Sequence, residues 1–203
     1  ARPGAPVECV RIIPSGVPDM GPASERRNAR PVIGAVGRLE HEKGHDLLLR
    51  ALPEVPDVEA VIVGDGSARA DLERLADEVG LWERVRFTGW RDDARELMGT
   101  FDLFVQPSRF EAQGVAVVEA MLAGVPVAGA DVGGIADVVA DGETGWLARP
   151  EDAGDLARVV RAALADREAL SRIGRRAREV ALERYTAERM AGDFLALYDE
   201  LAA

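Results

Sequence analysis

Two short stretches hold most of the residues able to do chemistry. The first is Gly37-Arg38-Leu39-Glu40-His41-Glu42-Lys43-Gly44, which puts a guanidinium and an ammonium on one loop. Together they suit a diphosphate, with Arg38 offering a fork of donors and Lys43 a point charge. In a chain with 25 cationic side chains they are equally readable as ordinary surface charges. The second stretch is Gln106-Pro107-Ser108-Arg109-Phe110-Glu111-Ala112-Gln113-Gly114-Val115, which runs into an apolar, helix-forming segment. A helix that opens on a glycine leaves its first backbone N–H groups unpaired and outward-facing, a seat for phosphate oxygens. Gly114, Val115 and Ala116 supply those groups. Glu119 stands one turn further in. Burying a carboxylate there costs roughly several kcal/mol unless it is paired, so a ribose diol, an arginine or a backbone group that it caps has to meet it. Glu111 precedes the helix and is free to face whatever lies beyond the phosphates.

Two further loops are candidates. In Gly89-Trp90-Arg91, Trp90 either covers a nucleobase edge or packs at the rim of a sheet. In Asp131-Val132-Gly133-Gly134, the glycines either let the backbone approach a sugar or form a plain turn. Other motifs fall short. His41-Glu42-Lys43-Gly44-His45 satisfies H-E-x-x-H, but zinc chemistry needs both imidazoles on one helical face plus a third ligand. Gly44 interrupts that face, and the chain has only two histidines. Gly64-Asp65-Gly66 lacks the third glycine of a dinucleotide fingerprint, since Arg69 takes its place. Ser108 lacks the flanking glycines of a nucleophile elbow.

The elements that must position these loops follow from the hydropathy pattern. Apolar β-branched runs at 31–36, 59–63, 84–88, 102–105, 125–128 and 145–147 read as strands. Amphipathic stretches at 45–52, 68–79, 92–98, 115–123, 155–165, 167–182 and 187–201 read as helices. Such alternation predicts an α/β fold, a doubly wound parallel sheet of Rossmann-like type, with ligands at the carboxyl ends of the strands. Residues 1–30 form a separate region: Val7–Ile13 resembles a strand, and the Pro- and Gly-rich remainder reads as a linker before a domain over 31–203.

Composition narrows the function classes. A net charge of −11 argues against a nucleic-acid partner, because that affinity rests on neutralising phosphates. No apolar run approaches the ~20 residues of a bilayer span, so direct membrane insertion is not expected. The single cysteine, Cys9, excludes an internal disulfide and fits a reducing, cytoplasmic setting.

Taken together, the motifs resemble glycosyltransferase family four, retaining enzymes of the GT-B architecture. Gly37-Arg38-Leu39 with Glu42-Lys43-Gly44, then Pro107-Ser108-Arg109-Phe110-Glu111 with seven residues before Glu119-Ala120-Met121, carry the resemblance. Gly124-Val125-Pro126-Val127, Gly133-Gly134 and Asp141-Gly142-Glu143-Thr144-Gly145 complete it. The resemblance implies the nucleotide-sugar-binding, C-terminal half of such an enzyme. Arg38 and Lys43 would hold the donor diphosphate and Glu111 the transferred sugar. The Gly114 and Val115 backbone would meet the phosphates, Glu119 the ribose, and Trp90 and Arg91 the base region, with Gly133 and Gly134 near the sugar. It also implies a nucleoside-diphosphate sugar as substrate, no cofactor and no metal requirement. An acceptor-binding domain would precede residues 13–17, and the last helix would reach across to it. Ser15, Ala112-Gln113 and Ala136-Asp137 depart from the usual Asn, Gly-Phe and Pro-Glu. A non-catalytic sugar-nucleotide-binding module and an epimerase-like GT-B protein are the alternatives.

Overall fold

The computed structural model describes residues 10–23 and 28–202. Six strands form one wholly parallel sheet: β1 (Val32–Val36), β2 (Glu59–Val63), β3 (Val85–Phe87), β4 (Leu103–Gln106), β5 (Val127–Ala130) and β6 (Trp146–Ala148). Their order is β3-β2-β1-β4-β5-β6. Eight α-helices accompany them among the described residues: α1 (His45–Ala51), α2 (Arg69–Glu78), α3 (Ala94–Met98), α4 (Val115–Leu122), α5 (Gly133–Val138), α6 (Ala153–Ala165), α7 (Arg167–Arg184) and α8 (Ala187–Ala202). The chain starts at β1, winds outward to β3, returns to β4 beside β1 and winds out the other way. The doubly wound α/β fold is therefore present.

Strand periodicity explains how the two helical layers are held. Ile33, Ala35, Ala60, Ile62, Leu103 and Val105 point to one face, where Leu48 and Leu49 of α1, Leu72 of α2 and Val159 and Val160 of α6 cover them. Val61, Val63, Phe104 and Val127 point to the other face, under Met98 of α3, Val117 and Met121 of α4, Ile135 of α5 and Ala177 of α7. With both faces buried, the strands carry apolar residues at successive positions, as parallel strands between helices must.

Most boundaries lie within two residues of those expected. α6 begins at Ala153 rather than 155, because the Asp152 side chain accepts the Asp155 N–H and caps the helix. β5 begins at Val127, after Pro126, which has no N–H to give to the ladder. Gly133 and Gly134, expected as a loop, are the first residues of α5. The strand expected over Val7–Ile13 falls partly outside the described residues. Val10–Ile13 form no strand, and Ile12 is exposed. No helix among the described residues is long and apolar enough to cross a membrane.

Candidate functional site

Strand order decides which loops meet. β1 and β4 are neighbours whose following connections diverge to opposite faces, which opens a crevice above their carboxyl ends. The loop after β1 carries Arg38 and Lys43, and the loop after β4 carries Glu111 and Gly114.

After β1 the chain makes a single 3-10 turn, His41–Lys43, which ends on Gly44 at φ 67°. That residue has to be glycine twice over. Its conformation disfavours a side chain, and a Cβ there would stand 2.0 Å from the Pro107 carbonyl oxygen. The close approach presses the two loops together, and Lys43 Nζ then lies 2.6 Å from Glu111 Oε2. Both side chains are largely buried, at 19% and 14% exposed. Arg38 shares the loop but is turned to Glu42, 2.7 Å away, with two-thirds of its side chain in solvent.

Both sides of this loop are braced. Glu40 accepts from the Ser67 N–H (3.0 Å) and hydroxyl (2.6 Å), tying it to the loop after β2 and holding the Glu40 carboxyl below its usual range. On the other side, Arg109 grips Asp46 with two bonds of 2.7 and 2.8 Å and donates to the His41 carbonyl at 2.9 Å. The Arg109 guanidinium holds the Asp46 carboxyl low in turn.

Helix α4 opens on Gly114, at φ 79°, without a side-chain cap. The Gly114, Val115 and Ala116 N–H groups find no acceptor among the described residues. A Cβ on Gly114 would lie 3.5 Å from Glu111 Cγ, so this open helix end borders the Lys43–Glu111 pair. Gly134 donates its N–H to the Glu111 carbonyl at 2.9 Å, and a Cβ there would strike the backbone of Ala112 and Gln113. The close approach that the glycines permit is thus to the 111–113 loop itself. Lys43, Glu111, Gly114, Gly133 and Gly134 are one cluster.

The remaining candidates sit differently. Glu119, half-buried on α4, meets Arg95 of α3 at 2.6 and 2.7 Å, both through Oε1. Arginine is therefore the partner in this state, and Oε2 has no hydrogen-bond partner among the described residues. A cavity of about 240 Å³ adjoins this pair, lined also by Met20, Gly21 and Leu122. Trp90 is 77% exposed, so it is not a packing residue, and its indole N–H reaches Asp92 at 3.3 Å. Arg91 pairs with Asp93. Their loop joins the others through the Gly64 N–H, which donates to the Gly89 carbonyl at 2.9 Å. A cavity of about 660 Å³ along β3 and Trp82 is lined by none of these residues.

Some pairings within the site have no motif to announce them. Arg109 and Asp46 pair across 63 positions and Arg95 and Glu119 across 24, with no local signal to link them. His45 is 1% exposed, and neither ring nitrogen meets hydrogen-bond geometry with a described atom. Burial pushes its pKa down to about 4, although the nearby Arg38 backbone works the other way. His41 and His45 lie on either side of left-handed Gly44, on separate turns, and no metal-holding cluster occurs among the described residues. The departures at 15 and 113 meet each other. The Gln113 amide accepts the Ser15 N–H at 2.7 Å and donates to its carbonyl at 2.8 Å.

A doubly wound parallel sheet with a cation, a carboxylate and an open helix start at its switch point defines an α/β domain of Rossmann-like type. The comparisons specify the family. The description "Glycosyl transferases group 1" matches residues 19–180, and the chain belongs to that family. It is 36% identical to a 2-deoxystreptamine glucosyltransferase of Streptomyces kanamyceticus, over 99% of this chain and 57% of that protein. It is 32% identical to the lipopolysaccharide core biosynthesis glycosyltransferase LpsE of Rhizobium meliloti, over 82% and 49%. The chain thus spans about half the length of these relatives. Among solved structures, sucrose-phosphate synthase of Thermosynechococcus elongatus superposes with a TM-score of 0.87 at 29% identity, covering 94% of this chain and 52% of that one. Anabaena HepE in complex with UDP-glucose superposes at 0.81 and 31% identity, over 85% and 49%.

Proposed function

We propose that residues 31–203 are the donor-binding half of a retaining glycosyltransferase of family four, which moves a sugar from a nucleoside-diphosphate sugar to an acceptor hydroxyl. Residues 1–30 lead in from an acceptor-binding domain, and the enzyme works in the cytoplasm without a metal. The observation that carries this reading is the Lys43–Glu111 pair at the switch point, bordered by the open start of α4. The Anabaena HepE complex holds UDP-glucose, which supports the same ligand class here.

In this reading the donor's pyrophosphate lies against Lys43, Arg38 and the Gly114–Val115 amides, with its sugar towards Glu111 and its ribose on Glu119. Arg95 keeps Oε1 of that carboxylate, and the ribose takes Oε2. Trp90 and Arg91 border the base. During transfer the bond between the anomeric carbon and the phosphate oxygen breaks, and fixed positive potential at these groups stabilises the charge that grows on the diphosphate. The acceptor oxygen bonds the anomeric carbon on the same face, and its proton passes to the departing phosphate oxygen. The anomeric configuration is retained.

A thermal-shift screen of the chain against UDP-, GDP- and ADP-sugars, with and without EDTA, tests the binding. A rise in the midpoint that survives EDTA is expected, since a ligand that binds only the folded state stabilises it. No shift with any donor overturns the assignment. Product analysis with the complete enzyme tests retention, and an inverted anomeric centre overturns it.

A further inference from the structure

We propose that Arg109, acting through Asp46, is a positioning residue that keeps the loops after β1 and β4 in register when the donor draws Lys43 away from Glu111; this rests on the donor-binding reading above. The loop after β4 is tied to the segment that follows β1 by two ion pairs, one to Lys43 on the loop and one to Asp46 in the first turn of α1. Lys43 meets Glu111 at 2.6 Å, and Asp46 meets Arg109 at 2.7 and 2.8 Å. They form two rungs of a ladder, 43 with 111 and 46 with 109.

The rungs differ in what a ligand does to them. Lys43 belongs to the cluster that borders the open start of α4, so an incoming diphosphate competes with Glu111 for its ammonium. Arg109 is committed elsewhere. Besides Asp46 it holds the His41 carbonyl at 2.9 Å, and its backbone N–H donates to the Glu42 carbonyl at 2.8 Å. Its side chain is only 15% exposed, and a cation so placed is costly to unpair. The second rung therefore stays closed while the first is exchanged, and it sets where Lys43 Nζ stands relative to the Gly114 amide. The contact needs a planar fork, because one guanidinium spans two carboxylate oxygens and a carbonyl at once. A lysine ammonium cannot reproduce that geometry.

The test uses the 203-residue chain, with UDP titrated calorimetrically and uridine followed by ligand-observed NMR. In Arg109→Gln and in Asp46→Asn, UDP affinity falls at least tenfold while uridine affinity stays within twofold. Arg109→Lys behaves like Arg109→Gln, and the double variant Asp46→Asn/Arg109→Gln is no more than twofold worse than either single one. UDP affinity within twofold of wild type in Arg109→Gln overturns the clamp, as does a parallel loss of UDP and uridine, which marks a general loss of structure. Should Arg109→Gln not fold, Asp46→Asn reports on the same split. If UDP does not bind wild type, GDP with guanosine and ADP with adenosine replace the pair. Wild-type binding to none of the three overturns the donor reading and the clamp together, whereas wild-type binding with an indifferent Arg109→Gln overturns the clamp alone.

Discussion

Lys43 is held and largely shielded by the Glu111 carboxylate. In the proposed reading the donor diphosphate has to compete with that carboxylate for the ammonium. Removing each partner should therefore have opposite effects on the diphosphate. Lys43→Ala loses a charge-assisted contact worth about 1.5–3 kcal/mol, so UDP affinity should fall roughly 10- to 100-fold and turnover of the complete enzyme should almost vanish. Glu111→Gln removes the competitor, so UDP affinity should hold or rise while sugar transfer collapses. Calorimetry and initial rates on both variants check this, and a Glu111→Gln variant that loses UDP affinity contradicts the competition. His45 makes a prediction of another kind. Its ring is neutral in the folded state down to pH about 4, whereas an unfolded histidine protonates near 6.5. Between those values the unfolded chain binds more protons, so stability falls as pH drops through the window, by about 3 kcal/mol in all. Above pH 6.5 both states are neutral and the effect disappears. In His45→Gln this part of the slope should be missing, which urea denaturation at pH 7, 6 and 5 would reveal.

Among the elements, helices with a stable amphipathic period were placed from sequence almost to the residue, and α7 is an instance. It was expected over 167–182 and spans Arg167–Arg184, with Leu170, Ile173, Ala177 and Val180 inward. α5 is missing from the helices read off the hydropathy pattern, because Gly133-Gly134 lowers helical propensity and the reason for those glycines is tertiary. A side chain at 134 would strike the backbone of the 112–113 loop. The loops of the site could be read because strand-to-helix junctions with glycine and charge are local patterns. The Arg109–Asp46 brace could not, since nothing near either residue names its partner. Asp152 lies between these cases, a cap recognisable in principle but passed over in favour of the later apolar period. Asp152→Ala should remove a helix cap worth ~1 kcal/mol and lower the unfolding midpoint by about 2–4 °C, with UDP affinity unchanged. A midpoint equal to wild type would show that Asp155 or the neighbouring turn already satisfies the helix start.

At the scale of the whole molecule, α8 is the element that the rest of the chain leaves unexplained. It has sixteen residues and none is buried. Phe194, Leu195, Tyr198 and Leu201 stand at 40–75% exposure along it, with Phe194 and Tyr198 rings 6.4 Å apart. What ties it down lies mostly at its start. Val17 bridges Thr186, the Ala187 N–H donates to the Val17 carbonyl, and the Gly16 N–H approaches Met190 sulfur. Further along, one exposed pair, Arg11 with Glu200, is too solvated to hold a helix. A helix of this length without tertiary packing is marginal in water, so its apolar face calls for cover. If an acceptor-binding domain stands ahead of residue 13, the segment 15–17 connects that domain both to α8 and, through Gln113, to the loop that carries Glu111. Hydrogen exchange then separates the two situations. In the 203-residue chain, amides from Phe194 to Leu201 should exchange nearly as in a free peptide, while those of α4 and α7 are protected. In the complete enzyme the same α8 amides should slow at least a hundredfold. Equal exchange in both would mean that α8 does not pack on the preceding domain, and its apolar face would need a different partner.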